Sequence, residues 1–261
     1  MIAKKVFLSV FVGILILGLL AVSPQASAGI EGIGVSFGDP TRTSGTIDDQ
    51  DIAGFTGYEQ SNWNVAEGAS GTVENLLDSA GSETATSLTF SADGQWGRGD
   101  VPETPDGYLM SGWLDGKGTD LTIIEFSNVS YSTYDIVLYS HGPGDHFRTR
   151  EVTLVDASDD SVIAGPYYFR DPEDAAGDMF FDGTFTQADL YTDDDDDVPV
   201  GNVWIFEGLT SPNIRVEVGY GQQKVVNDRY PINAVQLVVP EPATLALLGI
   251  GSIGLLRRRR K

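Results

Sequence analysis

The 261-residue chain contains no cysteine. That excludes disulfides, thiolate metal ligands and a cysteine nucleophile. It has two histidines, His141 and His146. A serine triad or an imidazole metal site would have to draw on that one pair, and two histidines five apart in a loop match no strong zinc spacing. No Gly-x-Ser-x-Gly elbow, His-Glu-x-x-His helix or phosphate loop is present. Basic residues are scarce, with 16 Lys and Arg against 38 Asp and Glu. Seven of the 16 sit at the ends (Lys4, Lys5 and Arg257 to Lys261), where the only acid is Glu241, so the middle holds 9 cations against 37 acids, a net −28. Such a surface repels nucleic acid and anionic lipid, and no nucleic-acid partner is expected. Carboxylate pairs that a glycosidase would need occur everywhere, and none is singled out. The expectation is a protein that is not an enzyme.

Both ends read as processing segments. Lys4 and Lys5 precede an uncharged apolar run from Val6 to Val22, broken by Ser23-Pro24. Ala26-Ser27-Ala28 then places small residues at the two positions a signal peptidase reads, so residues 1–28 are expected to be a cleaved signal peptide. The alternative, a retained anchor, needs about 20 apolar residues. At the other end, residues 239–261 begin with a stiff Pro240-Glu241-Pro242 breaker. Ala243 to Leu256 follows without a charge, and Arg257, Arg258, Arg259, Arg260 and Lys261 close the chain. As a helix the apolar stretch spans roughly 21 Å at about 1.5 Å per residue, less than the ~30 Å hydrocarbon core. A transient inner-membrane stop, with its cations held on the cytoplasmic side, suits it better than a permanent transmembrane helix.

The order and spacing of Val239-Pro240-Glu241-Pro242-Ala243-Thr244, the Leu/Gly-rich run and Arg257 to Arg260 closely resemble the PEP-CTERM sorting signal of Gram-negative bacteria. The resemblance implies recognition by a membrane-embedded exosortase, cleavage near Pro240 to Pro242, and release or attachment at the cell surface, outer envelope or extracellular matrix. It also implies the company of exopolysaccharide and biofilm matrix.

Residues 29–238 are expected to form one all-β domain, an antiparallel sandwich or jelly roll. Short alternating or apolar runs mark strands at 32–37, 73–77, 85–90, 121–126, 134–139, 151–155, 203–206, 214–218 and 234–239. Asp78-Ser79-Ala80-Gly81, Asp93-Gly94, Asp115-Gly116 and His141-Gly142-Pro143-Gly144 read as turns between them. No convincing helical pattern and no fixed-period repeat appears. About 210 residues are enough to build a core without disulfides. Asn62-Trp63-Asn64, Asn75 to Gly81, Leu109-Met110-Ser111-Gly112-Trp113-Leu114, the strand at 134–139 and Pro231-Ile232-Asn233-Ala234-Val235-Gln236-Leu237-Val238 follow one another in an order that resembles galactose-binding-like jelly-roll domains. That resemblance implies the fold and, through it, carbohydrate binding.

Candidate site residues follow from what a sugar needs: an exposed aromatic face and polar side chains for its hydroxyls. Trp96, in the glycine-rich stretch Asp93 to Arg98, and Trp63, between two asparagines, are candidate platforms. Their alternative role is to plug the ends of the sandwich. Trp113 and Trp204 sit in apolar contexts and are assigned to the core. Asp145, His146 and Arg148 lie between two strands and are candidate ligand contacts, the alternative being a polar hairpin tip. Asp193 to Asp197 fails the calcium-loop template, having Val198 at its sixth position and Trp204 at its twelfth. It reads as a solvated loop, although calcium can cross-link such loops; no cofactor is expected, with calcium as the alternative. Arg98-Gly99-Asp100 spells an integrin-type tripeptide, which chance explains.

The reading is an exported, non-catalytic surface or matrix protein, processed by signal peptidase and exosortase, that binds polysaccharide. The alternatives are a structural or adhesive matrix protein without a sugar site, and a glycan-active hydrolase.

Overall fold

The computed structural model describes residues 30–38, 45–118, 120–142, 149–172, 181–193, 198–221 and 229–240. The expected signal peptide with Ala26 and Ala28, the tail from Glu241 onward including Arg257 to Arg260, and residues 143–148 lie outside these.

Two antiparallel sheets form a sandwich, as the sequence suggests. The first has the order β11-β8-β14-β1-β2, from Val203–Leu209, Tyr134–Tyr139, Ala234–Val238, Gly32–Ser36 and Asn64–Val65. Only the two-residue β2 joins in parallel. The second has the order β10-β9-β12-β7-β4-β3, from Ser161–Arg170, Thr149–Asp156, Ile214–Tyr220, Thr122–Ser127, Ser87–Ser91 and Ser70–Val73. Strands β4, β7 and β12 bury alternate residues, which gives the second sheet one wet face. Their inward side chains, among them Phe90, Ile124, Phe126 and Val216, meet Val35, Ile136, Leu138, Trp204 and Leu237 of the first sheet.

The first sheet has no wet face in its middle. Every residue of β1, β8 and β14 is buried. The sandwich core covers one side of it. On the other side, Ile47, Ala53, Trp63, Leu109, Met110 and Phe181 pack over Val137, Tyr139, Ile205 and Val238. Near-continuous apolar strands such as Tyr134–Tyr139 carry this signature of burial on both faces. The covering layer includes a short helix, α1 (Pro105–Met110), which the sequence reading did not anticipate. Thr104 caps it, its hydroxyl accepting from Gly107 N at 3.1 Å, and Pro105 opens it.

Polar groups clasp this layer to the sheet. Gln236 Nε2 donates to Tyr58 O and Gln60 Oε1, both at 2.8 Å. Tyr139 Oη donates to Gln236 Oε1 at 3.0 Å and accepts from Phe55 N. Within the layer, Gly54 N donates to Asp106 Oδ1 at 2.9 Å, and within the sheet Gly208 N donates to Asp135 Oδ1 at 2.9 Å.

Burial pushes both carboxyls above the usual aspartate range, and Glu59 beside Asp106 and Glu207 beside Asp135 add to the rise. A carboxyl with a raised folded-state value favours folding below the unfolded value of about 3.9 and loses that contribution as pH climbs through the folded value. The exported domain is therefore expected to have a higher urea midpoint near the unfolded value, at about pH 4, than near about pH 8. Asp106→Asn with Asp135→Asn keeps both acceptors and should flatten that dependence without loss at the higher pH. A parent midpoint that rises with pH across this window would contradict the assignment.

Three local expectations are corrected. The strand expected at 73–77 lies earlier, at Ser70–Val73. Gln95 and Trp96 lie in a strand, β5 (Gly94–Gly97), and not in a loop. Asp115-Gly116 is not a turn but lies inside β6 (Gly112–Lys117). Gly116 is there because a Cβ would fall within 1.8 Å of the Tyr230 ring, and Asp115 is buried against Arg229. Close approach, not chain reversal, explains that glycine.

Candidate functional site

A third, small sheet has the order β13-β6-β5, with β13 at Arg229–Ile232. Only Asn233 separates β13 from β14. The small sheet therefore caps the end of the sandwich at which β14 begins. Its inner side is anchored by Leu114 and Tyr230, both in the main core.

Strand β5 is the edge. Its residues alternate, so Gln95 and Trp96 face opposite ways. Gln95 holds the strand down: its Nε2 donates to Ala66 O at 3.0 Å and Gly38 O at 3.2 Å, and its Oε1 accepts from Gly68 N at 2.6 Å. Trp96 is left 45 % exposed, directly across the ladder from the buried Trp113. The ladder continues one step, with Arg98 N donating to Ser111 O at 2.8 Å. This spacing puts Arg98 on the same side as Trp96. Its Nε and Nη2 each donate to a different oxygen of Asp100, both at 2.9 Å. The hydrogen bonding from Arg98 holds the Asp100 carboxyl below its usual range. A partly exposed indole thus stands two residues from a two-pronged arginine–carboxylate pair. The ring can stack on a flat apolar surface, and the pair offers charge-assisted hydrogen bonds.

The other candidates fall elsewhere. Trp63 is 5 % exposed and inside the covering layer, which corrects its assignment as a ligand platform. Its Nε1 donates to Gln60 O at 3.1 Å, its ring meets Tyr139 edge-on at 6.0 Å, and it lies against Gly34, where a Cβ would approach it to 2.5 Å. A stacking platform needs an open ring face, and that face is spent on the backbone of β1. Trp113 and Trp204 are buried, as expected.

Asp145, His146 and Arg148 lie outside the described residues. The connection that holds them is not a hairpin, because β8 belongs to the first sheet and β9 to the second. It crosses between the layers. Its start is fixed: His141 N donates to Asn233 Oδ1 at 2.6 Å, and the imidazole meets Phe181 at 6.4 Å. Of the acidic run, Asp194 to Asp197 also lie outside. Among the described residues no three His, Asp or Glu side chains group as a metal site, and no helix is long and apolar enough to cross a membrane.

Sequence reasoning did not pair Arg98 with Asp100 or Arg150 with Asp171. Arg98–Asp100 was set aside as a chance tripeptide, although an i, i+2 pair at the end of a strand is a legible signal. Arg150–Asp171 joins residues 21 apart and carries no local signal.

No curated protein matches the chain. Among solved structures, an isomalto-dextranase of Arthrobacter globiformis T6 complexed with panose matches at 13 % identity and a TM-score of 0.31, over 65 % of this chain and 23 % of that one. The chain thus spans about a quarter of that enzyme's length. Residues 238–261 match the PEP-CTERM protein-sorting motif, the tail of an exported protein handled by an exosortase.

Proposed function

We propose that the sandwich is a non-catalytic glycan-binding module of the galactose-binding-like jelly-roll kind, exported through signal peptidase and exosortase and displayed at the cell surface or in the extracellular matrix. The observation that carries this reading is Trp96. It is 45 % exposed on a strand held in place by Gln95, with the Arg98–Asp100 pair on its side. A rigid aromatic platform beside a charge-assisted pair suits a sugar ring with adjacent hydroxyls. The ligand class is a neutral or cationic polysaccharide, since the acidic middle of the chain disfavours a polyanion.

The test is a glycan array with the exported domain and its Trp96→Ala form. Binding to at least one neutral glycan is expected, weakened about tenfold or more by the substitution, the scale of one lost aromatic anchor. An array on which the parent binds nothing, with or without calcium, sinks the reading. The net charge of −22 favours one second reading, a matrix protein that acts through its acidic surface. Calcium-dependent self-association seen by light scattering, with a blank array, would select it.

A further inference from the structure

The register between β1 and β14 says where the two processing segments leave the fold. Gly32 lies opposite Val238, and Val239 N donates to Glu31 O at 2.8 Å. The leader junction after Ala28 is thus two residues before Ile30, and Pro240 is one residue after the last ladder bond. Both segments depart from one pole of the sandwich, on neighbouring strands. The small sheet with Trp96 caps the opposite pole, because β14 runs from Asn233 towards Pro240.

The tail has no slack. Strand β14 lies between β8 and β1, paired on both sides. Leu237 and Val238 are buried, whereas Pro240 is exposed. A protease that reads an extended peptide needs several free residues around the bond it cuts. Here everything before Val239 is committed to the centre of a sheet.

We propose that the exit pole, with Glu31, Val239 and Pro240 at its centre, is the surface that meets the membrane-embedded sorting protease, and that the end of the β1–β14 ladder limits cleavage of the tail. The enzyme gains its substrate when the Val239–Glu31 bond and its neighbours open. The inference rests on the sorting reading of residues 238–261. It also fixes the orientation of the unprocessed protein, with the Trp96 face pointing away from the membrane.

A flexible Gly/Ser spacer of about six residues, inserted between Val239 and Pro240 of the full chain, tests this. Pulse-chase in a host that carries an exosortase reads the rate of tail removal. The spacer should speed processing by about three- to tenfold, the equilibrium weight of one or two peptide hydrogen bonds. A spacer of equal length after Asp193, in the acidic run, leaves both the ladder end and the sorting motif intact, and should leave the rate unchanged. An unchanged or slower rate with the first spacer overturns the proposal, as does equal acceleration by both. Since the insert lies beyond the last ladder bond, an unaltered melting temperature of the purified variant confirms that the comparison is between folded proteins. If the parent chain itself keeps its tail, the sorting reading fails, a result distinct from failure of the spacer to act.

Discussion

Replacing Asn233 with leucine is expected to remove about 3–6 kcal/mol of stability, read as a collapse of the urea midpoint of the exported domain. Asn233 is completely buried where β13 hands over to β14. Its Nδ2 donates to Met110 O at 2.8 Å and Gly112 O at 3.0 Å, and its Oδ1 accepts from His141 N at 2.6 Å. Its backbone N donates to Tyr139 O and its carbonyl accepts from Phe37 N, both at 2.9 Å. One side chain therefore ties the end of α1, the start of β6 and the exit of β8 to the strand that links two sheets. Leucine is close in volume but would strand two carbonyls and one amide in the interior. Each unsatisfied group costs about 1–3 kcal/mol, and a whole domain holds only about 5–15. Asn233→Asp should be no better, because its carboxylate would face the two carbonyls without a donor. A leucine variant within about 1 kcal/mol of the parent would show that the handover tolerates slack.

How far this was legible in the sequence depends on the range of the signal. The strand at Tyr134–Tyr139 is visible to the residue, and those at Ile214–Tyr220 and Ser87–Ser91 nearly so, because local apolar patterning marks them. The small sheet was invisible. Two of its strands read Gly-Gln-Trp-Gly and Gly-Trp-Leu-Asp-Gly-Lys, and Gly116, which suggests a turn, is present because Tyr230 needs the room. Trp63 and Trp96 look alike in sequence, each flanked by polar or small residues. What separates them is a covering layer assembled from residues 47 to 181, which no local pattern can encode. The tail stands apart, since its order of breaker, apolar run and cations is written in consecutive residues.

Asp171→Ala is expected to destabilise the domain by about 3–5 kcal/mol, whereas Arg150→Met combined with Asp171→Leu should cost clearly less. Arg150 is the second residue of β9, and its side chain is fully buried. Its Nη2 reaches Asp171 Oδ2 at 2.7 Å, just past the end of β10. Its guanidinium carbon lies 5.6 Å from the centre of the Trp204 ring, which stacks on Phe169 at 4.2 Å. Removing the carboxylate takes away the buried guanidinium's ion-pair partner, and the attraction of the Trp204 face, about 2 kcal/mol at best, does not replace it. Removing both charges leaves an apolar contact that Phe169 and Trp204 can close over. The comparison separates two roles for the pair. If the double variant matches the parent in stability yet still gives one sharp transition, the ion pair is dispensable to the fold. If the double variant is as unstable as Asp171→Ala, the pair's hydrogen bonds hold β9, β10 and β11 in register, and the arginine acts through geometry more than charge. A single Asp171→Ala loss below about 0.5 kcal/mol would show instead that the cation finds water on relaxation, contradicting its burial.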